Sequence, residues 1–270
     1  MKIKLIASDM DGTLLLNGNR QVTEEQLAVI EDLLDMGIFF APASGRQYTN
    51  LRNNFKPVMD KLIYICENGG LVKYKGETLY KASIDRQLGL DIMQDIYERE
   101  DCEVLLSGEE TSYLLPKSDE YVDYMINSVK NKVTVIKDFN EVKEDFIKIS
   151  VYCKEGIGLH SGYFHDRWST ITQDTVSGHC WQDFVPVGVH KGKALNLIQE
   201  KFNISPKETM CFGDNYNDIE MFETVYHSFA MCHSAKEVLE KARLRAETVE
   251  GTLKEWQEKN LFEWQDEKYV

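Results

Sequence analysis

The chain predicts an α/β fold: a parallel sheet that carries a second, α+β domain as an insertion. Three observations support this. Strand-like and helix-like stretches alternate up to Ala82, the pattern changes between Ser83 and Asp183, and the alternation resumes after it. With 270 residues, 43% of them hydrophobic, there is enough apolar material for well-buried cores in one or two domains.

In order, "IKLIAS" reads as a first strand. "TEEQLAVIEDLLDMG" reads as a helix opened by a capping-box pair, Thr23 and Gln26, with Leu27, Ile30 and Leu34 at helical spacing and Gly37 as its stop. "IFFAPAS" and "LIYICENGG" read as further strands, so right-handed crossovers and a parallel sheet follow, with the ligand site beyond the C-terminal strand ends. The middle begins with an amphipathic helix, "IDRQLGLDIMQDIYERE", followed by short strands "CEVLLS", "TSYLLP" and "FIKISVYC". "KGKALNLIQEKF", "TMCFG", "DIEMFETV", "HSFAM" and "AKEVLEKAR" then restore the helix and strand alternation. The predicted domains are 1–82 with 186–270, and 83–185. The junctions contain no Ser/Gly-rich linker and are read as short hinges.

The formal charge of -14 argues against a nucleic-acid or anionic-membrane partner, since both need a basic face. Most of the acidity sits on the insert, with 20 acidic against 10 basic residues over 83–184. No stretch has the apolar length of a membrane span, and "MKIKLIASDMDG" meets acid early, so a cytoplasmic location is expected. Six cysteines, without any CxxC spacing, indicate neither a zinc site nor a disulfide framework; reduced, mostly buried thiols are expected. The six histidines show no HExxH spacing. The aromatics of "HSGYFHDRW" and "HCWQDF" are expected to pack the insert's small core, in preference to lining a sugar or cofactor pocket.

Two strands end in pairs of acids: Asp9 and Asp11 in "SDMDGTLLL", and Asp214 and Asp218 in "GDNYND". Either pair alone fits an ordinary turn or helix cap. Together at one sheet edge they would repel unless a cation joined them. Oxygen ligands without His or Cys suit Mg²⁺, which takes one or two carboxylates and a phosphate oxygen. "SGR", Ser44 to Arg46, follows the second strand where a hydroxyl and backbone N–H groups bind an anion, and Lys191 in "HKGKAL" opens a helix as a candidate phosphate counter-ion.

In this order the motifs resemble those of the haloacid dehalogenase superfamily of phosphatases, in its Cof-like class IIB branch. "DMDGTLL" is like its first motif, "SGR" its second, Lys191 its third and "GDNYND" its fourth, while "ENGG" resembles its turn before the cap. The resemblance covers essentially the whole chain and implies a Rossmann-like core, with 83–185 as a substrate-specificity cap. It also implies an Mg²⁺-dependent phosphatase of small phosphorylated metabolites, sugar phosphates or phosphorylated cofactors. Asp9 would be the nucleophile and form an aspartyl-phosphate; Asp11 would be the proton shuttle, its backbone carbonyl also binding the metal. Asp9, Asp11, Asp214 and Asp218 would form the metal site, Asp218 by supporting a metal-bound water or by orienting Lys191. Ser44, Gly45 N–H, Lys191 and Asn217 would hold the phosphoryl oxygens.

Because the protein is anionic, capture of a phosphate ester would depend on groups acting within a Debye length of ~8 Å. A phosphomutase is the nearest alternative. A receiver-type signalling module is excluded by length and by the insert, and a silent binding protein is disfavoured by the complete set of Asp9, Asp11, Lys191 and Asp214. Cys232-His233-Ser234 in "MCHSA", and Glu250-Gly251, depart from the family pattern and are read as changes at the rim of the site. The sequence does not choose an oligomeric state. The aromatics of the C-terminal "EWQEKNLFEWQDEKYV" are open to docking on the core or on a partner.

Overall fold

The computed structural model describes residues 2–263. The chain forms β1 (Leu5–Asp9), α1 (Glu24–Asp35), β2 (Phe39–Ala43), α2 (Tyr48–Asn53), β3 (Ile63–Cys66), β4 (Leu71–Tyr74) and β5 (Glu77–Lys81). It continues through α3 (Arg86–Tyr97), β6 (Glu103–Ser107), β7 (Ser112–Leu114), α4 (Asp119–Asp123), β8 (Val133–Val135), β9 (Lys148–Tyr152), α5 (Ser161–Trp168), β10 (Gln173–Val176) and β11 (Trp181–Val185). The last part is α6 (Lys191–Phe202), β12 (Thr209–Gly213), α7 (Ile219–Glu223), β13 (His227–Met231), α8 (Lys236–Leu239), β14 (Leu244–Ala246) and α9 (Val249–Glu258).

Two compact units result. The first takes residues up to Gly45, Leu51–Tyr80 and His190 onward; the second takes Lys81–Val189 together with Arg46–Asn50. That short segment joins the second unit through Gln47, whose Nε2 donates to Ser112 Oγ and to the Lys132 carbonyl, both at 3.2 Å.

The first unit is an eight-stranded sheet in the order β14-β13-β12-β1-β2-β3-β4-β5. It is parallel from β14 to β3, and β3 pairs antiparallel with β4. The β4–β5 hairpin at the edge was not anticipated. Its two-residue turn, Lys75-Gly76, has both residues at positive φ, the geometry that matches the strand twist. Strands β1 to β3 extend one way from β1 and β12 to β14 the other, so a crevice opens beyond the C-terminal end of β1. The capping box of α1 forms as expected, with Gln26 N–H donating to Thr23 Oγ1 at 3.2 Å and Thr23 N–H to Gln26 Oε1 at 3.0 Å. Its buried face is nevertheless Gln26, Val29, Ile30 and Leu33, with Leu27 and Leu34 at the margin. Gln26 turns inward because its Nε2 also donates to the Leu14 carbonyl at 2.7 Å. The core between sheet and helices includes Leu5, Ala7, Ile63, Ile65, Leu195 and Ile198; each large aliphatic side chain buried there contributes about 1.5–3 kcal/mol.

The second unit is a six-stranded sheet, β10-β11-β9-β6-β7-β8, antiparallel except between β7 and β8. The sequence showed β6, β7 and β9. It missed β8 and β10, of three and four residues, β11, whose buried stretch contains Gln182 and Asp183, and α5, which forms from "SGYFHDRW". The expected aromatic packing is found for Phe164 and Trp168. Phe164 and Trp168 are buried with α3 and β9 residues, and Trp181 lies 4.7 Å from Tyr152 between ring centroids, while Tyr163 is exposed. At the C-terminus Trp256 packs edge-on against His227 and Phe229, and Phe262 is buried, so the described part of that segment docks on its own unit. Trp264 and Tyr269 lie outside the described residues. No helix among the described residues is long and apolar enough to cross a membrane.

Candidate active site

The candidate site lies within the first unit, and strand register explains how it assembles. Asp9 ends β1 opposite Ala43 of β2, so Ser44 follows one residue beyond. On the other side Ser8 pairs with Phe212 of β12, so the Asp214 turn begins at the same edge. Two strand ends that read independently as acid pairs are thereby brought together.

Asp9, Asp214 and Asp218 each offer a carboxylate oxygen, all within 4.8 Å of one another. Lys191, fully buried at the first turn of α6, reaches into them: its Nζ donates to Asp9 Oδ1 at 2.5 Å and to Asp218 Oδ1 at 2.7 Å. His190 caps that helix, its Nδ1 accepting from Lys193 N–H at 3.2 Å, and this fixes where the lysine enters. Histidine is an uncommon N-cap, and sequence reading did not mark it. Asp218 is saturated. Besides Lys191 it accepts, on Oδ2, the N–H groups of Asp214 and Asn215 at 3.0 and 3.1 Å, so it holds both the lysine and its own turn.

Thr13 is a site residue that sequence reading gave no role. Its Oγ1 donates to Asp214 Oδ1 at 2.7 Å and joins the first motif to the fourth. Between Asp11 and Thr13, Gly12 has φ +92°, and a Cβ there would stand 2.4 Å from Asp214 Oδ2. Only glycine satisfies both the backbone and the neighbour. Gly12→Ala is expected to displace Asp214, costing about 1–3 kcal/mol of stability and weakening divalent-cation binding at least tenfold. Calorimetric titration with Mg²⁺ and thermal unfolding check it; unchanged affinity would refute the role of this close approach.

The remaining predicted residues surround this cluster. Ser44 is buried, and its carbonyl accepts from Asn68 N–H at 3.0 Å. The Asn68 side chain packs over Gly45, and Asn217 Nδ2 donates to Asn68 Oδ1 at 3.4 Å, so Asn68 links the second and fourth motifs. Glu67 and Asn68 both have positive φ, at 50° and 55°, a rare pairing that shapes the turn quoted above as "ENGG". Gly69, at φ +98°, lets this turn meet the His190 carbonyl where a Cβ would be 2.5 Å away. The Asp11 side chain is exposed and is not one of the three clustered carboxylates. Of the departures, His233 Nε2 lies 4.0 Å from Asp214 Oδ2, whereas Glu250 sits in the first turn of α9, where its Oε2 accepts from Gln26 Nε2 at 3.2 Å.

Three carboxylates share one ammonium, so with all three ionised the cluster would carry two negative charges in excess. Burial pushes Asp9 up to about 8, with Asp218 and Asp214 acting in the same direction and Lys191 opposing. Burial alone would lower Lys191, but Asp218 and Asp9 raise it, so the lysine stays charged. Asp214 is raised, first by burial, with the Thr13 hydrogen bond opposing. Asp9 Oδ2 is buried without a hydrogen-bond partner. An unpartnered carboxylate oxygen, an all-oxygen donor set and more carboxylates than ammonium groups fit a hard divalent cation.

Fold and site together define an α/β protein with three clustered carboxylates and a buried lysine at one sheet edge. A family model for haloacid dehalogenase-like hydrolases matches residues 6–250, and the chain belongs to that family. It is 28% identical over 247 residues, 91% of each chain, to 5-amino-6-(5-phospho-D-ribitylamino)uracil phosphatase YbjI of Escherichia coli. A crystal structure from Eubacterium rectale superposes with TM-score 0.84 at 28% identity, covering 94% of this chain and 99% of that one. The subclass IIB sugar phosphatase BT4131 shares the fold, with TM-score 0.77 at 20% identity over 94% and 99% of the two chains.

Proposed function

We propose that the protein is an Mg²⁺-dependent phosphatase of small phosphorylated metabolites, acting in the cytoplasm through an aspartyl-phosphate on Asp9. The observation that carries this reading is the state of Asp9: one oxygen is clamped by a buried lysine and the other is buried without a donor. The Asp9 carboxylate attacks phosphorus, the bond to the ester oxygen breaks, and Asp11 protonates the departing alkoxide. Asp11 then takes a proton from water, which attacks the acyl phosphate, releasing inorganic phosphate and restoring Asp9. Ser44, the Gly45 N–H, Lys191 and Asn217 hold the phosphoryl oxygens. Asp218, with both oxygens already engaged, positions Lys191 and the Asp214 turn. Asp9, the Asp11 carbonyl and Asp214 would hold Mg²⁺, which when bound supplies positive charge against the phosphoryl group.

Substrate choice is assigned to the insert. Sugar phosphates and phosphorylated cofactors are the classes to test, and the phosphoribityl compound in the name of the E. coli relative is a first member. In a panel that also includes FMN and pyridoxal phosphate, phosphate release is expected to fall at least about a hundredfold on chelation and to return with Mg²⁺. Release that survives chelation would overturn the metal assignment, and isomerised sugar phosphate without free phosphate would favour a mutase.

A further inference from the structure

A second donor cluster, of a different chemical kind, lies inside the inserted unit. Cys102 immediately precedes β6 and Cys153 immediately follows β9, and these strands pair antiparallel with Glu103 opposite Tyr152. The register therefore sets the two cysteines across from each other, one step past the end of the ladder. Their sulfurs are 3.0 Å apart, and both residues are buried. A ring nitrogen of His160, the residue before α5, lies within 4.8 Å of both sulfurs. His160 Nε2 is also 2.6 Å from Asp101 Oδ2, and Asp101 Oδ1 is 3.9 Å from Cys102 Sγ. No spacing motif announces this group, because 51 residues separate the two thiols.

We propose that Cys102, Cys153, His160 and Asp101 form a structural site for a soft divalent cation, Zn²⁺ by its donor chemistry. Two sulfurs and an imidazole are the donors zinc prefers, and Asp101 either completes a tetrahedron or orients the imidazole, as carboxylates commonly do for metal-bound histidine. The catalytic cluster, all oxygen, suits Mg²⁺, so the two sites select different ions. Binding replaces the two thiol protons: Zn²⁺ enters, two Zn–S bonds form and two protons leave, with no change in oxidation state. Two bonds of about 2.3 Å at a tetrahedral angle need sulfurs roughly 3.8 Å apart, so the pair opens by less than 1 Å.

Lys117 Nζ donates to the Cys102 carbonyl at 2.6 Å, which places a positive charge near the two sulfurs. The partly exposed Asp101 side chain gives the ion a route in from solvent. Once bound, the ion ties the start of β6 and the end of β9, already paired as neighbouring strands, to the start of α5.

The full-length protein, reduced with a phosphine, is titrated with Co²⁺ and then with Zn²⁺. A thiolate-to-cobalt charge-transfer band saturating near about one ion per chain, and abolished by Zn²⁺, is expected. Cys102→Ala and Cys153→Ala should lose the band, while Cys232→Ala, at an exposed cysteine elsewhere, should keep it. So should Asp9→Asn, because the oxygen site gives no thiolate transition. If the cysteine variants do not fold, His160→Ala serves, with an expected loss of at least tenfold in Zn²⁺ affinity. No band in the reduced wild type, or a band equally strong in Cys102→Ala, or unchanged affinity in His160→Ala, overturns the site.

Discussion

Asp9→Asn is expected to abolish phosphate release while leaving the fold in place. The substitution preserves size and removes the nucleophilic charge, and loss of a covalent nucleophile typically costs on the order of 10⁴–10⁶ in turnover. Stability should hold because Lys191 keeps its 2.7 Å bond to Asp218, so no buried ammonium is left without a carboxylate. Relief of the crowding among three carboxylates acts in the same direction. The measurement is single-turnover phosphate release alongside thermal unfolding. A variant that unfolds with the wild type and still turns over at a comparable rate would remove Asp9 from the mechanism. Trapping with a beryllium fluoride phosphate mimic should succeed in the wild type with Mg²⁺ and fail in the variant.

Lys191→Met is expected to damage both activity and stability, which separates it from Asp9→Asn. The side chain is fully buried between two carboxylates, and removing one partner of a buried ionic group typically costs about 3–5 kcal/mol. Methionine fills the volume and offers no charge, so Asp9 and Asp218 are left facing each other in a dry site. Activity should fall at least about 10²-fold through loss of a fixed cation at the phosphoryl oxygens. Added Mg²⁺ should recover part of the stability and none of that catalytic loss. A midpoint in urea unchanged from the wild type would show that the lysine is not the counter-charge of this cluster.

The sequence carried much of this site in legible form because the chemistry is concentrated at strand ends. Asp9, Asp11, Ser44, Lys191, Asp214 and Asp218 each follow an apolar stretch or open a periodic one, and alternation of period identified those stretches. Thr13, Asn68 and His190 were harder to read. Thr13 acts through a partner 201 residues away, Asn68 through a backbone conformation, and His190 through a cap seldom made by histidine. Thr13 and His190 leave no compositional trace, and the "ENGG" turn marks the place of Asn68 without marking its contacts. The β4–β5 hairpin was missed for a related reason: its turn residue Lys75 adopts positive φ without being Gly, Asn or Asp. In the insert, β8 and β10 have only three and four residues and β11 places Gln182 and Asp183 mid-strand, so none shows a clear period, whereas α3, with a full amphipathic pattern, was plain.

The long separation between the partners of this site has a consequence for how the protein is made. Asp9 meets Lys191 across 182 residues, and Thr13 meets Asp214 across 201. A ribosome adding about 5–20 residues each second therefore produces Asp9 roughly 10–40 s before Lys191 exists. Throughout that interval β1 lacks its β12 neighbour, and the acidic strand end stays hydrated with nothing to close over it. The entropy of bringing such distant segments together is met only when the last third of the chain arrives. Closure of this cluster thus waits for the late part of the chain, and no nascent fragment that stops short of the Asp214 turn can complete it.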